Sequence, residues 1–238
     1  MRIHEAVSGV ERKEWIKRQT YLSLFKPAIA SVFLLTTLLS YGQVKYSDAP
    51  ALIRDVLRQG ATSGSIISAA DDCEMADSQI PVPTSIHAPK QTGSTVEQLK
   101  DMFSEISGMV VTKDSNGIIR MVQKGVPTDI LDLRIRFVVF SPSNAPFPQL
   151  FHGPNMALVT ILSSPEVRLF MKQHNITPPP SRLEGHMGQN LPPLTGQLHD
   201  VTLSQALDYV LQSFPGYWVY ESCTTKEGRR AVNFHFYY

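Results

Sequence analysis

The short patterns that mark common enzyme chemistries are missing from this chain: its 238 residues contain no GxSxG, HExxH, P-loop or GxGxxG. Acyl transfer, zinc hydrolysis and nucleotide binding thereby lose their usual signatures. Each of them needs a nucleophile turn, paired ligands on one helix face or a glycine cradle at fixed spacing. Cysteine is nearly absent, with only Cys73 and Cys223. Neither belongs to a CxxC or has a His at ligand spacing, which removes the usual structural zinc site. The histidines His87, His152, His174, His186, His199 and His235 are scattered, and none pairs at helical spacing to make a metal face. Asp71, Asp72, Glu74 and Asp77 gather beside Cys73 but lack the alternating oxygen ligands and central glycine of a calcium loop. They read as a solvated acidic loop, and neither a metal nor a cofactor is expected.

Charge of one sign is lacking as well, since 22 Lys and Arg stand against 21 Asp and Glu. Setting aside residues 1–42, which hold six basic and three acidic side chains, leaves 16 basic and 18 acidic ones. So mild and well mixed a balance gives no electrostatic footprint for nucleic acid.

The N-terminal stretch does carry a signal. Arg12, Lys13, Lys17, Arg18 and Lys26 precede an apolar run from Pro27 to Leu39, after which Ser40 and Gly42 take the −3 and −1 positions of a cut before Gln43. The run is shorter than the roughly 20 residues of a spanning helix and has the length of a secretory leader. An uncleaved anchor and a buried helix are the alternatives. The leader reading implies an exported protein, periplasmic or secreted. Contact with the membrane is then confined to the N-terminal segment, and only if that segment stays uncleaved. In an oxidising compartment Cys73 and Cys223 are expected to pair, the alternative being two unrelated buried thiols.

Proline and glycine punctuate the chain at Pro81–Pro89, Pro142–Pro154 and Pro178–Pro193, which read as loops. Between them, Leu52, Ile53, Val56 and Leu57 predict a helix over 49–59, with Asp48 as cap and Gly60 as stop. A short strand follows over 63–69. Ser94 or Thr95 caps a second helix whose apolar stripe is Val96, Leu99, Met102, Phe103 and Ile106. Strands over 109–113 and 118–123 are joined through Asp114-Ser115-Asn116-Gly117, a hairpin signal because Asn-Gly tolerates positive φ. Residues 131–140 read as a partly buried strand. Ser164-Pro165-Glu166 opens a helix packed through Val167, Leu169 and Phe170, and a weaker helix precedes it from Pro154 or Asn155 to Ile161. The final block is a strand over 198–203, a helix capped by Thr202, a strand at Tyr217–Tyr220, a turn at Thr225–Gly228 and a strand at Ala231–Phe236.

The two capped helices resemble one another, TVEQLKDMF from Thr95 against TLSQALDYV from Thr202, and each runs into a hairpin. The expected fold is α+β: two small related βαββ-type modules with Pro-rich connecting loops, preceded by a signal peptide. The expected divisions are 1–42 signal peptide, 43–140 first module, 141–193 linker with a helical segment and 194–238 second module.

LHDVTLSQALDYVLQSFPGYWVYE, followed by AVNFHFY, resembles the short N-terminal domain of secretins and TonB-dependent receptors. The resemblance covers mainly residues 197–238 and, more loosely, 95–123. It rests on Val201, Thr202, Leu203, Ala206 and Leu207, which are core and cap positions, so it implies a fold more than an activity. Members of that family continue into a barrel or pore, whereas this chain stops at Tyr238. The resemblance implies a small periplasmic interaction module.

Aromatic residues concentrate at the end of the chain. Trp218 and Tyr220 belong to one face of their strand, Tyr217 and Val219 to the other. Core packing accounts for one face, and the other is either covered or open, which makes Tyr217, Trp218 and Tyr220 a candidate partner surface. The expected function is an exported, non-enzymatic binding or assembly module of the cell envelope with a protein partner. The alternative is an exported hydrolase whose site is built from loops.

Overall fold

The computed structural model describes residues 48–70, 73, 86–89, 92–141, 153–178, 191 and 194–238. The expected leader and its cleavage point lie outside the described residues, as do residues 142–152, 179–190 and 192–193 of the expected linker. The fold is mixed α+β. In chain order its elements are α1 (Ala49–Gln59), β1 (Gly64–Ala70), α2 (Thr95–Met102), β2 (Met109–Lys113), β3 (Ile119–Gln123), β4 (Arg134–Phe140), α3 (Pro154–Leu162), α4 (Pro165–Gln173), β5 (Gly196–Thr202), α5 (Leu203–Ser213), β6 (Tyr217–Thr224) and β7 (Arg230–Tyr237).

Local chemistry accounts for most of these boundaries. The α2 helix starts at a capping box: Ser94 Oγ accepts from the Glu97 amide, and the Glu97 carboxylate accepts from the Ser94 amide. Thr202 and Gln205 build the same device at the start of α5. Asp48 and Ser164 do not cap their helices through their side chains. A proline in the first turn, Pro50 in α1 and Pro165 in α4, supplies the preset φ instead. In α4 the packed residues are Val167 and Met171, while Leu169 is 55 % exposed. The buried stripe there is narrower than the apolar composition suggested.

A five-stranded sheet runs in the order β2-β3-β1-β6-β7, with β1 parallel to both β3 and β6 and an antiparallel hairpin at either end. The β2–β3 hairpin closes through the expected turn, where Asp114 Oδ1 accepts from the amides of Asn116 and Ile118 and Gly117 takes φ 84°. The strand before α5 does not join the hairpin after it: β5 pairs antiparallel with β4 in a separate two-stranded sheet. The element order expected for the last block is present, but its strands are shared between two sheets. Strand β1, from the stretch before residue 140, lies against β6 from the stretch after residue 194.

The sheet separates two apolar cores. One holds Ile53 and Leu57 of α1, Leu99 and Met102 of α2, and Tyr217 and Val219 of β6. The other holds Ala206, Leu207 and Val210 of α5, residues of α3 and α4, the inner face of β4, and Trp218 and Tyr220 of β6. With apolar layers on both faces, β6 is buried from Tyr217 to Cys223, and this explains its apolar run from Tyr217 to Tyr220.

The two capping-box residues, Ser94 of α2 and Thr202 of α5, stand at an offset of 202 − 94 = 108 residues, one more than the offset that aligns Thr95 with Thr202. At that offset the buried Leu99, Met102 and Phe103 fall on the buried Leu207, Val210 and Leu211, and Gly108 falls on Gly216. The correspondence then slips by one residue. Met109 and Val111 share the core of α2, whereas Trp218 and Tyr220 share the core of α5.

Candidate functional site

A cleft of about 1030 Å³ opens at one end of the five-stranded sheet, where the α1–β1 loop, the β2–β3 turn and α5 meet. Its walls are stitched together by the backbone. Thr62 Oγ1 donates to the Gly117 carbonyl (2.7 Å), the Ile119 amide to Ser63 (2.9 Å) and the Gly64 amide to Gly216 (3.0 Å). Gly216 lies so close to the chain end that a Cβ there would stand 1.9 Å from the Tyr237 carbonyl oxygen, so only glycine fits.

Beneath the cleft lies a polar knot that joins residues distant in sequence. Arg120 on β3 forks onto Asp208 on α5, with Nη1 at 2.8 Å from Oδ1, and onto Asp114 of the turn, with Nη2 at 2.9 Å from Oδ2. Arg120 also donates to Ser65 Oγ (3.2 Å), and Trp218 donates its indole N–H to Asp208 (2.8 Å). The Arg120 guanidinium stands 5.8 Å from the Trp218 ring centroid. Burial works against the Arg120 charge, but the hydrogen bonds and charges of Asp208 and then Asp114 outweigh it and hold the proton more firmly than usual. Among the described residues, Asp208 is the only Asp or Glu lining the cleft, and both of its oxygens are engaged. Bidentate, charge-assisted contacts of this kind are the stronger sort.

The Asp208 and Arg120 side chains are 12 % and 19 % exposed, so removing one charge leaves the other largely desolvated. Asp208→Asn is expected to lower stability by about 2 kcal/mol, below the cost of a wholly buried pair because some solvent reaches both groups. Urea unfolding checks this, and a loss under about 0.5 kcal/mol would show that the knot contributes nothing measurable.

The aromatic group is not a surface. Tyr217, Trp218 and Tyr220 are 0, 1 and 0 % exposed, which corrects the expectation that they could face a partner. Each ring is in the core with its polar tip satisfied. Tyr217 donates to the Pro50 carbonyl (3.3 Å), and Trp218 donates to Asp208. Tyr220 donates to the Pro127 carbonyl (2.8 Å) while accepting from Arg230 (2.7 Å). Burial raises the pKa of both tyrosines, that of Tyr217 strongly. Amphipathic rings are stable in a core when the hydroxyl or N–H finds an acceptor, and here all three do.

Cys73 and Cys223 are joined in a disulfide, with Cα atoms 5.3 Å apart. Two strand positions from Cys223, Glu221 is 5 % exposed, and burial pushes its carboxyl up to about 7 against the lowering effect of the Asn233 hydrogen bond. It does not line the cleft. Among the described residues, no group of three His, Cys, Asp or Glu side chains is placed to hold a metal ion, and no helix is long and apolar enough to cross a membrane.

Sequence reasoning missed the Arg120–Asp208 knot because its partners are 88 residues apart and neither lies in a motif. One available signal was Asp208, an acid beside the apolar stripe of α5 with an indole ten residues downstream. No family model, curated protein or solved structure matches the chain, so the site stands on its own geometry.

Proposed function

We propose that this chain is an exported, non-enzymatic protein of the cell envelope, built from two related units, that works by binding a partner. The carrying observation is the cleft at the seam between the two halves. It is large enough for a ligand, yet its one acid is locked by Arg120 and Trp218. The acid with the raised pKa, Glu221, lies away from the cleft. A hydrolase of the alternative kind needs an acid or base facing its substrate that is tuned towards neutral pH, whereas the lining group with a raised pKa is the Tyr238 hydroxyl, which burial moves further from that range.

Duplication is favoured by the matching capping boxes of α2 and α5, by the 108-residue offset that brings their core positions into correspondence, and by the hairpin that follows each. The resemblance to the short N-terminal domain of secretins and TonB-dependent receptors draws support from Thr202 acting as cap and from Leu203, Ala206 and Leu207 lying in the core. Export is favoured by the disulfide, a bond that persists in oxidising compartments.

The test is chemical cross-linking in cells, followed by recovery of the protein from envelope extract, beside a panel of ester, glycosidic and peptide substrates. Recovery of a stable partner without turnover is expected. Turnover that disappears when a cleft residue is replaced, with no partner recovered, would reverse the reading in favour of the hydrolase.

A further inference from the structure

Resting on the binding reading above, we infer that the cleft at the seam takes an extended acidic peptide segment that carries apolar side chains among its carboxylates. The argument begins with the sign of the charge. Arg54, Arg58 and Lys113 line the cleft against the single acid Asp208. Asp208 is paired from beneath with Arg120, whose charge Asp114 shares, so its repulsion of an incoming anion is reduced and not cancelled. Arg58 is 74 % exposed and is shared with Asp55 on its own helix, and Arg54 donates to the Tyr238 carbonyl. Lys113 forms no ion pair with any described residue. Counting the paired groups Asp55, Asp114 and Arg120 with the lining, four cations stand against three acids, so the local balance is mildly cationic.

Composition of the walls narrows the ligand further. Leu198, Val201 and Leu211 give an apolar side, and Asn116, Gln205 and Gln212 bring carboxamides that can both donate to and accept from a peptide backbone. A free phosphate or nucleic acid would use the cations but leave the apolar wall wet. A purely apolar segment would leave Lys113 without a counter-charge and Arg58 with Asp55 alone. An acidic and apolar strand satisfies both. The two halves of the chain each contribute: Arg54, Arg58 and Lys113 come from before residue 140, the apolar wall and two of the amides from after residue 194. The cleft therefore exists only where the halves meet.

The test uses the full oxidised chain and an acetylated, amidated peptide of alternating Glu and Leu, with Gln-Leu and Lys-Leu counterparts of the same length. Calorimetry and backbone NMR shifts are the readouts. The Glu-Leu peptide is expected to bind, to shift the amides of Lys113, Gln205 and Tyr209, and to weaken as salt is added. The Arg58→Glu/Lys113→Glu pair lies on the surface. It is expected to weaken binding about tenfold or more, while the lost Arg58–Asp55 pair lowers the melting temperature by only a few degrees. Equal binding of all three peptides, shifts centred elsewhere, or tighter binding of a single-stranded oligonucleotide would each overturn the assignment. Failure here is separable from failure of the binding reading. If the double variant still captures its cross-linked partner undiminished, only the cleft assignment falls; if the wild-type chain captures none, the reading beneath it falls as well.

Discussion

Reduction of the Cys73–Cys223 disulfide is expected to destabilise the protein by about 5 kcal/mol, the largest single effect of any change considered. The bond spans 150 residues, and in the loop-closure account the entropy it removes from the unfolded chain grows with the logarithm of that span. The native state has little to lose in geometry. Ala70 at the end of β1 is paired in register with Cys223 on β6, so β-sheet pairing already brings the two segments together without the bond. The reduced protein should keep the same fold and melt about 10–20 °C lower, the shift that such a loss implies for a chain of this size. Thermal unfolding with and without reductant measures this. The Cys73→Ser/Cys223→Ser double variant should match the reduced wild type and ignore reductant. A shift of only a degree or two would show that the unfolded chain is already restricted in some other way. Since whole domains are stable by only about 5–15 kcal/mol, a loss this large separates a protein that endures in an oxidising compartment from one marginal in a reducing one.

That bond was readable from two cysteines and an apparent leader, and so were the hairpins and several helix boundaries. Each of those is local. Helix α1 has the expected bounds because Leu52, Ile53, Val56 and Leu57 recur at helical spacing, and the β2–β3 turn forms because Asp114 can close on Asn116 and Ile118. Pairing between distant strands was not readable. Nothing in residues 196–202 says that they lie on β4, and nothing in β1 says that it fits between two hairpins. Periodicity reports which residues are apolar, not what covers them. The same limit explains Tyr217, Trp218 and Tyr220: alternation assigned their faces correctly, but only the placement of α1 against one face and α5 against the other removes both from solvent. Arg120 and Asp208 were out of reach for a related reason, since an ion pair between two elements leaves no spacing in either.

Raising the pH from 5 to 9 is expected to weaken the fold by about 3 kcal/mol through Glu221 alone. Ser68, Glu221 and Asn233 form one row across β1, β6 and β7, each 5 % exposed, in which the carboxyl receives a hydrogen bond from Asn233 Nδ2 at 3.2 Å. Burial lifts its pKa from 4.5 to about 7, and the Asn233 hydrogen bond recovers only part of that cost. A raised carboxyl pKa means that the folded state holds the proton over a pH range in which the unfolded chain has released it. The contribution to stability is therefore fully present below about 4.5, declines as pH rises through the window, and is lost once pH passes about 7. At about 1.36 kcal/mol per pK unit the window amounts to about 3 kcal/mol. Glu221→Gln keeps an oxygen for Asn233 and cannot ionise, so it should flatten this part of the profile and be the more stable protein at pH 9, with little difference at pH 5. Urea unfolding of both proteins across the range isolates the term, because every other titrating group is common to them. Parallel profiles would mean that the carboxylate finds solvent or a cation on ionising. Divergence in the stated direction would leave a buried acid with no structural gain at neutral pH, held between Ser68 and Asn233 and two strand positions from the disulfide.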